Sequence, residues 1–307
     1  MSFGTILHTS RYVQTRETFM TIFELVKIAP DELYKEAFEE YGANTDIEIQ
    51  KKLDYLSASY QNLTDPNRKA VKYDDPTTRF AYVYKYTTSH ADYIVQILEA
   101  LRSKLDAPIF NSEIVRVACI GGGPGSDIIA TLKYIDKYHK TEKVKKLTCH
   151  MLDREQAWGD TWSDLHNVLD LGINLAVPFQ QMDVTKEKTW AQQKKFLQSD
   201  LFTLSYFVSE VQSLNKDGIV AKFFKTIFTE AKSGALFLYD DNRTTSLNNY
   251  FDGLWKSEGL ECITRKSNTS MSLNYSEEKS DLGDYLKKFN HSPKLSSKLS
   301  YRVLRKP

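Results

Sequence analysis

The sequence predicts an α/β fold: a seven-stranded, mostly parallel sheet with helices on both faces, ending in an antiparallel strand pair and preceded by a helical region. Three observations predict it. From residue 115 onward, short apolar runs alternate with amphipathic stretches. Before residue 105 the apolar residues instead recur three and four apart, the helical period. The last two strand-like runs are joined by a long polar stretch rather than a crossover helix, which implies an antiparallel return.

In chain order, "TRETFMTIFELVKI" and "PDELYKEAFEEY" read as two helices, with Pro30 at the first position of the second, where its missing N–H is not needed. "SHADYIVQILEALRSKL" reads as a third, with Ser89 as its cap and Asp92 three residues on completing a short-armed capping box. Between them "NLTDPNRKAVKYDDPTTRF" is rich in turn formers and reads as a loop. These segments make a region, 1–105, expected to cover what the following domain, 106–307, binds. Within that domain strands are expected near 115–120, 146–152, 176–182, 201–208, 234–240, 260–266 and 298–305. Helices are expected over 125–139, 155–171, 189–198, 217–232 and 245–258, and residues 267–297 form an insertion.

Composition narrows the function classes. A chain of 307 residues with 41% hydrophobic content can fill a core. No apolar run approaches the roughly 20 residues of a membrane span, and the start lacks the layout of a signal peptide, so a cytoplasmic or nuclear chain without a membrane partner is expected. Cys119, Cys149 and Cys262 are far apart and read as reduced thiols; the six histidines show no ligand spacing, and no metal is expected. A net charge of +1 exerts no global pull toward nucleic acid.

The stretch that carries chemistry is "VACIGGGPGSD", residues 117–127, where a strand turns into a helix. Such a turn lets backbone approach a ligand closely and aims free N–H groups and the positive helix end at an anionic or electron-rich group. In open α/β sheets the ligand crevice lies at the carboxyl ends of the strands, where chain order reverses. A dinucleotide fingerprint would place glycine or alanine where Ser126 stands. The second strand ends in "MLDRE", whose Asp153 can accept from two ribose hydroxyls, and the third in "QQMDVT", whose Asp183 can accept from the exocyclic amine of adenine.

This constellation resembles the class I S-adenosylmethionine-dependent methyltransferases over about residues 85–307. The resemblance implies a Rossmann-like fold and S-adenosylmethionine as cofactor. It makes Gly121, Gly122, Gly123, Pro124 and Gly125 the family's first motif, Asp153 the ribose contact with Arg154 beside it in the cofactor site, and Asp183 with Val184 the adenine contact. The sequence departs from the family at Cys119, which stands where an acidic residue commonly supports the methionine ammonium; Asp127 is the substitute it offers. More loosely, the glycine turn, "LDRE" with its following tryptophans, and "FTLSYFVSEV" are similar to a subgroup of ribosomal-RNA methyltransferase-like proteins.

Several residues have a plainer reading beside the functional one. Asp153 and Asp183 would serve equally as caps for helices beginning near Gln156 and Glu187. Trp158 and Trp162, four apart on one helical face, suit core packing, and Tyr82, Tyr84 and Tyr86 suit either a buried segment or a cover over the cofactor. Tyr86, ahead of the first strand, and Ser209, Glu210 and Asp241, at the far strand ends, are expected near the methyl acceptor, and Glu210 or Asp240 could take its proton if burial raises the carboxyl pKa. The sequence has no Asn/Asp-Pro-Pro-aromatic motif, and Cys119 lies in a strand rather than a proline-cysteine loop, which argues against covalent catalysis. From Lys287 to Lys306 there are seven basic residues and no acidic one, suited to RNA phosphates or to guarding an edge strand. An RNA acceptor, a small-molecule acceptor, an NAD-dependent oxidoreductase and a silent scaffold with the same fold all remain open.

Overall fold

The β-branched run "IVRVACI" becomes the central strand, β1 (Ile114–Ile120), and its side chains alternate between the two faces of the sheet. Val115, Val117 and Cys119 join one buried cluster, and Ala118 and Ile120 the other. The computed structural model describes residues 21–61, 71–163, 172–192, 194–274, 276–277, 279–289 and 291–307.

Seven further strands complete the sheet: β2 (Lys146–Asp153), β3 (Asn174–Ala176), β4 (Phe179–Gln181), β5 (Leu201–Ser205), β6 (Leu236–Asn242), β7 (Glu261–Ser272) and β8 (Ser296–Arg305). Their order is β3-β2-β1-β5-β6-β8-β7, with β4 also on β2. The pairs from β3 through β6 are parallel, and β8 runs antiparallel to both β6 and β7. Chain order therefore reverses beside β1, and the crevice opens above β1, β2 and β5. The expected third strand, 176–182, is two short strands broken at Val177–Pro178, because proline has no N–H to give the ladder. The final pair is longer than its apolar core suggested: β7 continues through the polar residues to Ser272, held by pairing with β8.

The helical region corrects the sequence reading at Pro30, at Ser89 and in the expected loop 62–80, whose residues 76–80 are helical and whose residues 62–70 lie outside the described residues. Residues 22–41 form one helix, α1 (Ile22–Tyr41), opened by a Thr21–Glu24 capping box and running straight through Pro30. Pro30 is not at a helix start; its lost hydrogen bond is offset by an apolar face (Phe23, Val26, Leu33, Ala37) buried on both sides of it. After α2 (Thr45–Gln61), the N-terminal proline role falls to Pro76, which opens α3 (Pro76–Tyr82) behind an Asp75 cap that accepts from the Thr77 N–H at 2.8 Å. α3 continues through a π-turn, Val83–Thr87, into α4 (Thr88–Arg102). Ser89 is therefore helix interior rather than a cap: its hydroxyl donates to the Tyr86 carbonyl, and Asp92 accepts from Gln96 and from the Asn274 N–H.

Among the described residues, the helices beside the strands include α5 (Ser126–Lys137), α6 (Trp158–Ser163), α7 (Ile219–Glu230) and α8 (Thr245–Ser257). Of the helix expected over 155–171, residues 164–171 lie outside the described residues. The helix expected over 189–198 is instead irregular, with 3₁₀ turns at Glu187–Thr189 and Lys195–Gln198, since the sequence has no apolar residue at 193 or 194 to join Trp190 to the Phe196–Leu197 pair in a helical stripe. One buried cluster holds Phe23, Val26, Leu53 and Phe80 together with Val117, Leu147 and Leu238, so the helical region and one sheet face share a core. Among the described residues no helix is long and apolar enough to cross a membrane, and no three His, Cys, Asp or Glu side chains are grouped to hold a metal.

Candidate active site

The turn after β1 is made of glycines because aromatic side chains press on it. Gly121 (φ 70°) and Gly125 (φ 81°) adopt left-handed backbone. A Cβ on Gly121 would lie 2.4 Å from the Phe207 ring, on Gly123 2.2 Å from Trp158, and on Gly125 2.2 Å from Trp162. Trp162 also fixes the turn through its indole N–H, which donates to the Gly123 carbonyl at 2.9 Å. Of the two tryptophans, Trp162 is core packing, and Trp158, though buried, faces a cleft.

Asp153 ties β2 to this turn: one carboxylate oxygen accepts from the Gly123 N–H (3.0 Å) and the other from the Glu155 N–H (2.8 Å). Burial raises its pKa to about 6, against the lowering effect of those two bonds. Asp183, at the end of β4, accepts from the Thr185 N–H and hydroxyl and pairs with Lys186 at 2.9 Å. Burial works to raise its pKa, but the Thr185 and Lys186 bonds outweigh it, and the carboxyl sits below its usual range. Both acids line a cleft of about 970 Å³ at the strand ends. Leu152, Met182, Val184, Val211 and Leu214 make it apolar on one side; Gly121, Pro124, Arg154, Glu155 and Glu210 supply polar or backbone surface.

Beneath the turn, Asp127 in the first turn of α5 is buried, and one of its carboxylate oxygens has no hydrogen-bond partner among the described residues. Asp240 on β6 shares that condition, its other oxygen accepting from the Ser205 hydroxyl at 3.0 Å. Burial raises both carboxyls, Asp127 to about 6 and Asp240 well above its ordinary value; the charge of Asp153 adds to the rise at Asp127, and the charge of Asp127 to the rise at Asp240. Asp241 accepts from the Ser209 and Asn242 N–H groups at 2.8 and 2.7 Å and is raised by burial to about 6.

Beside the cleft, sharing Tyr60, Tyr82 and Tyr206 with it, lies a smaller chamber of about 370 Å³. Tyr86, His90, Ser209, Asn242 and Lys294 complete its wall. In the α3–π–α4 run, Tyr82 and Tyr86 fall on one face, and Tyr84 on another, where its hydroxyl donates to the His291 carbonyl at 2.8 Å. Tyr206 stands at the end of β5 with φ 50°, a strained conformation for a tyrosine. Three contacts hold it: its N–H donates to the Asp240 carbonyl (2.8 Å), its hydroxyl to Ser297 (3.3 Å), and its ring stacks on His90 at 3.9 Å. Burial, and then the charge of Lys294, keep His90 well below its ordinary pKa, so it is neutral.

A family model described as "Putative SAM-dependent methyltransferase" matches residues 68–247 of this chain, more than half of it. The chain belongs to that family. It is a methyltransferase, and S-adenosylmethionine is its cofactor. No curated protein matches the sequence. Among solved structures it is similar to an O-methyltransferase family protein from Burkholderia thailandensis, at 12% identity over 86% of this chain and 73% of that one, with a TM-score of 0.45. It is also similar to the N-methyltransferase NodS from Bradyrhizobium japonicum in complex with S-adenosyl-L-homocysteine, at 11% identity over 81% of this chain and 98% of that one, with a TM-score of 0.39.

The residues fit the methyltransferase's cofactor. Asp153 retains lone pairs toward the cleft for ribose hydroxyls, the apolar wall from Leu152 to Leu214 suits an adenine, and the orphaned Asp127 oxygen suits an ammonium. Of the sequence-expected cofactor residues, Gly121, Pro124, Asp153, Arg154, Asp183 and Val184 line the cleft; Gly122, Gly123 and Gly125 shape it from behind, and Asp127 is buried beneath the turn and does not line it. Of the expected acceptor residues, Tyr86 and Ser209 line the chamber and Glu210 the cleft, whereas Asp240 and Asp241 are fully buried and line neither. The basic stretch does not form one cationic face: Arg302 is buried against Asp252 at 3.0 Å, Lys288 pairs with Asp46 at 3.4 Å, Arg305 with Glu261 at 3.8 Å, and Lys294 turns into the chamber. The sequence reading missed Tyr60, Tyr73, His90, Tyr206, Asn242 and the inward role of Lys294; only the left-handed Tyr206 turn had a local cue, its place directly after a strand.

Proposed function

We propose that the methyltransferase acts on a planar, hydrogen-bonding base presented by RNA, held in the aromatic chamber beside the cofactor cleft. The single observation that carries this reading is the chamber's make-up. Tyrosine and histidine rings supply stacking surface, while Ser209, Asn242 and Lys294 supply donors and acceptors for an edge. Two exposed cations stand close by in the chain: Arg243 follows the chamber residue Asn242, and Lys298 follows Ser297, which accepts from the Tyr206 hydroxyl behind the chamber wall. They offer contacts for phosphates flanking a single base.

Bound S-adenosylmethionine supplies a methyl group already activated on a sulfonium. The protein's own work is then placement and exclusion of water. Asp153 and the glycine turn fix the cofactor's place; Tyr60, Tyr82 and Tyr206, common to both cavities, set the line between donor and acceptor. Neither buried Asp240 nor Asp241 faces the chamber, so neither receives the acceptor's proton directly.

The test is transfer of tritiated methyl groups to total cellular RNA, followed by nuclease digestion and separation of nucleosides. Label in one modified nucleoside is expected. Label that resists nuclease and runs with small molecules would replace RNA with a small planar acceptor.

A further inference from the structure

We propose that Lys294 binds the methyl acceptor as its conjugate anion, so that the chamber selects a weakly acidic N–H or O–H group and presents it ready to attack. This inference rests on the reading of the chamber as the acceptor site.

Lys294 reaches the chamber because the segment before β8 is fastened to the helical region. Its backbone N–H donates to the Lys85 carbonyl at 2.8 Å, and neighbouring His291 is held by Tyr84 and by Asp54 at 3.0 Å. The Lys294 ammonium lies 6.0 Å from the centre of the Tyr86 ring. Among the described residues it has no carboxylate partner, unlike Lys288 a few residues earlier, and none of the eight chamber residues is acidic.

The other groups facing it leave its charge unanswered. Lys85 and Tyr86 come from the π-turn, His90 from α4, Tyr60 from α2, Tyr82 from α3 and Tyr206 from β5. His90 is neutral, and burial pushes Tyr86 up to about 12, so its hydroxyl keeps its proton. Desolvation, and then the charge of Lys85, also lower the proton affinity of Lys294 itself. An anion placed in the chamber would relieve both costs at once. A cationic amine would be repelled, which separates this chamber from one built for ammonium acceptors.

The chemistry balances without a protein base. The acceptor's proton leaves to solvent as the anion pairs with the ammonium. The acceptor's lone pair then forms the bond to the methyl carbon while the carbon–sulfur bond breaks, its electron pair remaining on sulfur.

The probe is 4-nitrophenol, whose phenolate absorbance reports ionisation, added at mildly acidic pH to protein saturated with S-adenosyl-L-homocysteine. The parent should raise the phenolate fraction by at least about threefold over buffer. Lys294→Met should abolish the rise, Lys294→Arg should retain it, and both should bind S-adenosyl-L-homocysteine within about threefold of the parent; Lys294→Gln replaces the Met variant if that one fails to bind. No rise with the parent, or an equal rise with the uncharged variant, overturns the inference. The RNA experiment separates the two readings. Unlabelled RNA with a Lys294-dependent phenolate shift keeps this inference and removes RNA, whereas labelled RNA with Lys294→Met as active as the parent does the reverse.

Discussion

The cofactor cleft and the chamber beside it share three tyrosines and are otherwise built from opposite materials. The cleft is backbone and strand ends: Gly121, Asp153, Asp183 and Val184 lie at or just past the ends of β1, β2 and β4, and the sheet places them. The chamber is side chains from distant segments, Tyr60, Tyr86, His90, Tyr206 and Lys294, and the packing of helices against the sheet places them. On the proposed reading the sheet places the cofactor, and the helical region with the β7–β8 connection places the acceptor.

The largest effect is expected where the cleft's backbone is least forgiving. Gly125→Ala puts a side chain on backbone at φ 81° and within 2.2 Å of the Trp162 ring. Strain and overpacking together should cost about 2–4 kcal/mol in denaturant unfolding. Gly123→Ala should follow closely, since its Cβ would meet Trp158 at 2.2 Å and the Asp153 carboxylate at 2.6 Å. Unchanged unfolding midpoints would mean that the tryptophans yield and that the turn is not packed from behind.

Asp153→Ala addresses binding rather than folding. Removing the acceptor for two ribose hydroxyls should weaken S-adenosyl-L-homocysteine binding by about 1.5–3 kcal/mol, one to two decades in Kd by calorimetry. The raised pKa, about 6, shows that the ionised carboxyl is costly to bury, so part of any stability lost through its N–H bonds returns when it is removed. An unaltered Kd in folded protein would leave Asp153 as a tie between β1 and β2 and nothing more.

The contrast between the two cavities also explains what could be read from sequence. The cleft was legible because its residues are local signals: a glycine turn after an apolar run, then an acid at each of the next two strand ends. The chamber was not, because Tyr60 and Lys294 meet only through the fold. Tyr82, Tyr84 and Tyr86 looked like an alternating set, and helical geometry sorted them differently, sending Tyr84 to its own partner, His291. Pro30 misled for a related reason: a buried apolar face outweighed a local breaker, which no short window reveals. The basic residues from Lys287 to Lys306 form a run only along the chain: β8 turns Arg302 inward against Asp252, and Lys294 enters the chamber.

Tyr86→Leu sharpens the comparison from the chamber side. Tyr86 lines the chamber and not the cleft, so cofactor affinity should stay within about threefold while methyl transfer to total RNA falls at least about tenfold through lost stacking. A parallel loss of cofactor binding would show the two cavities to be one site.

The smallest expected effect concerns Asp127, the acid offered in place of the one missing at Cys119. Its folded-state pKa, raised by burial to about 6 from an ordinary 3.8, means that the folded protein holds this proton more tightly than the unfolded chain does. Asp127 therefore takes stability away as pH rises between those two values and beyond, the opposite of a salt-bridged carboxylate. His90, held neutral, contributes with the other sign in the upper part of the same window, so the parent's profile alone does not isolate the term. The difference between the parent and Asp127→Asn does. Relative to that variant, the cofactor-free parent should lose about 1 kcal/mol of unfolding free energy between pH 5 and pH 7. Saturating S-adenosylmethionine should shrink the difference, because an ammonium beside the orphaned oxygen favours the ionised carboxyl. A difference that is flat with pH would mean that Asp127 is not held protonated by burial, and one the cofactor does not alter would place the methionine ammonium away from Asp127 and leave Cys119 without a substitute.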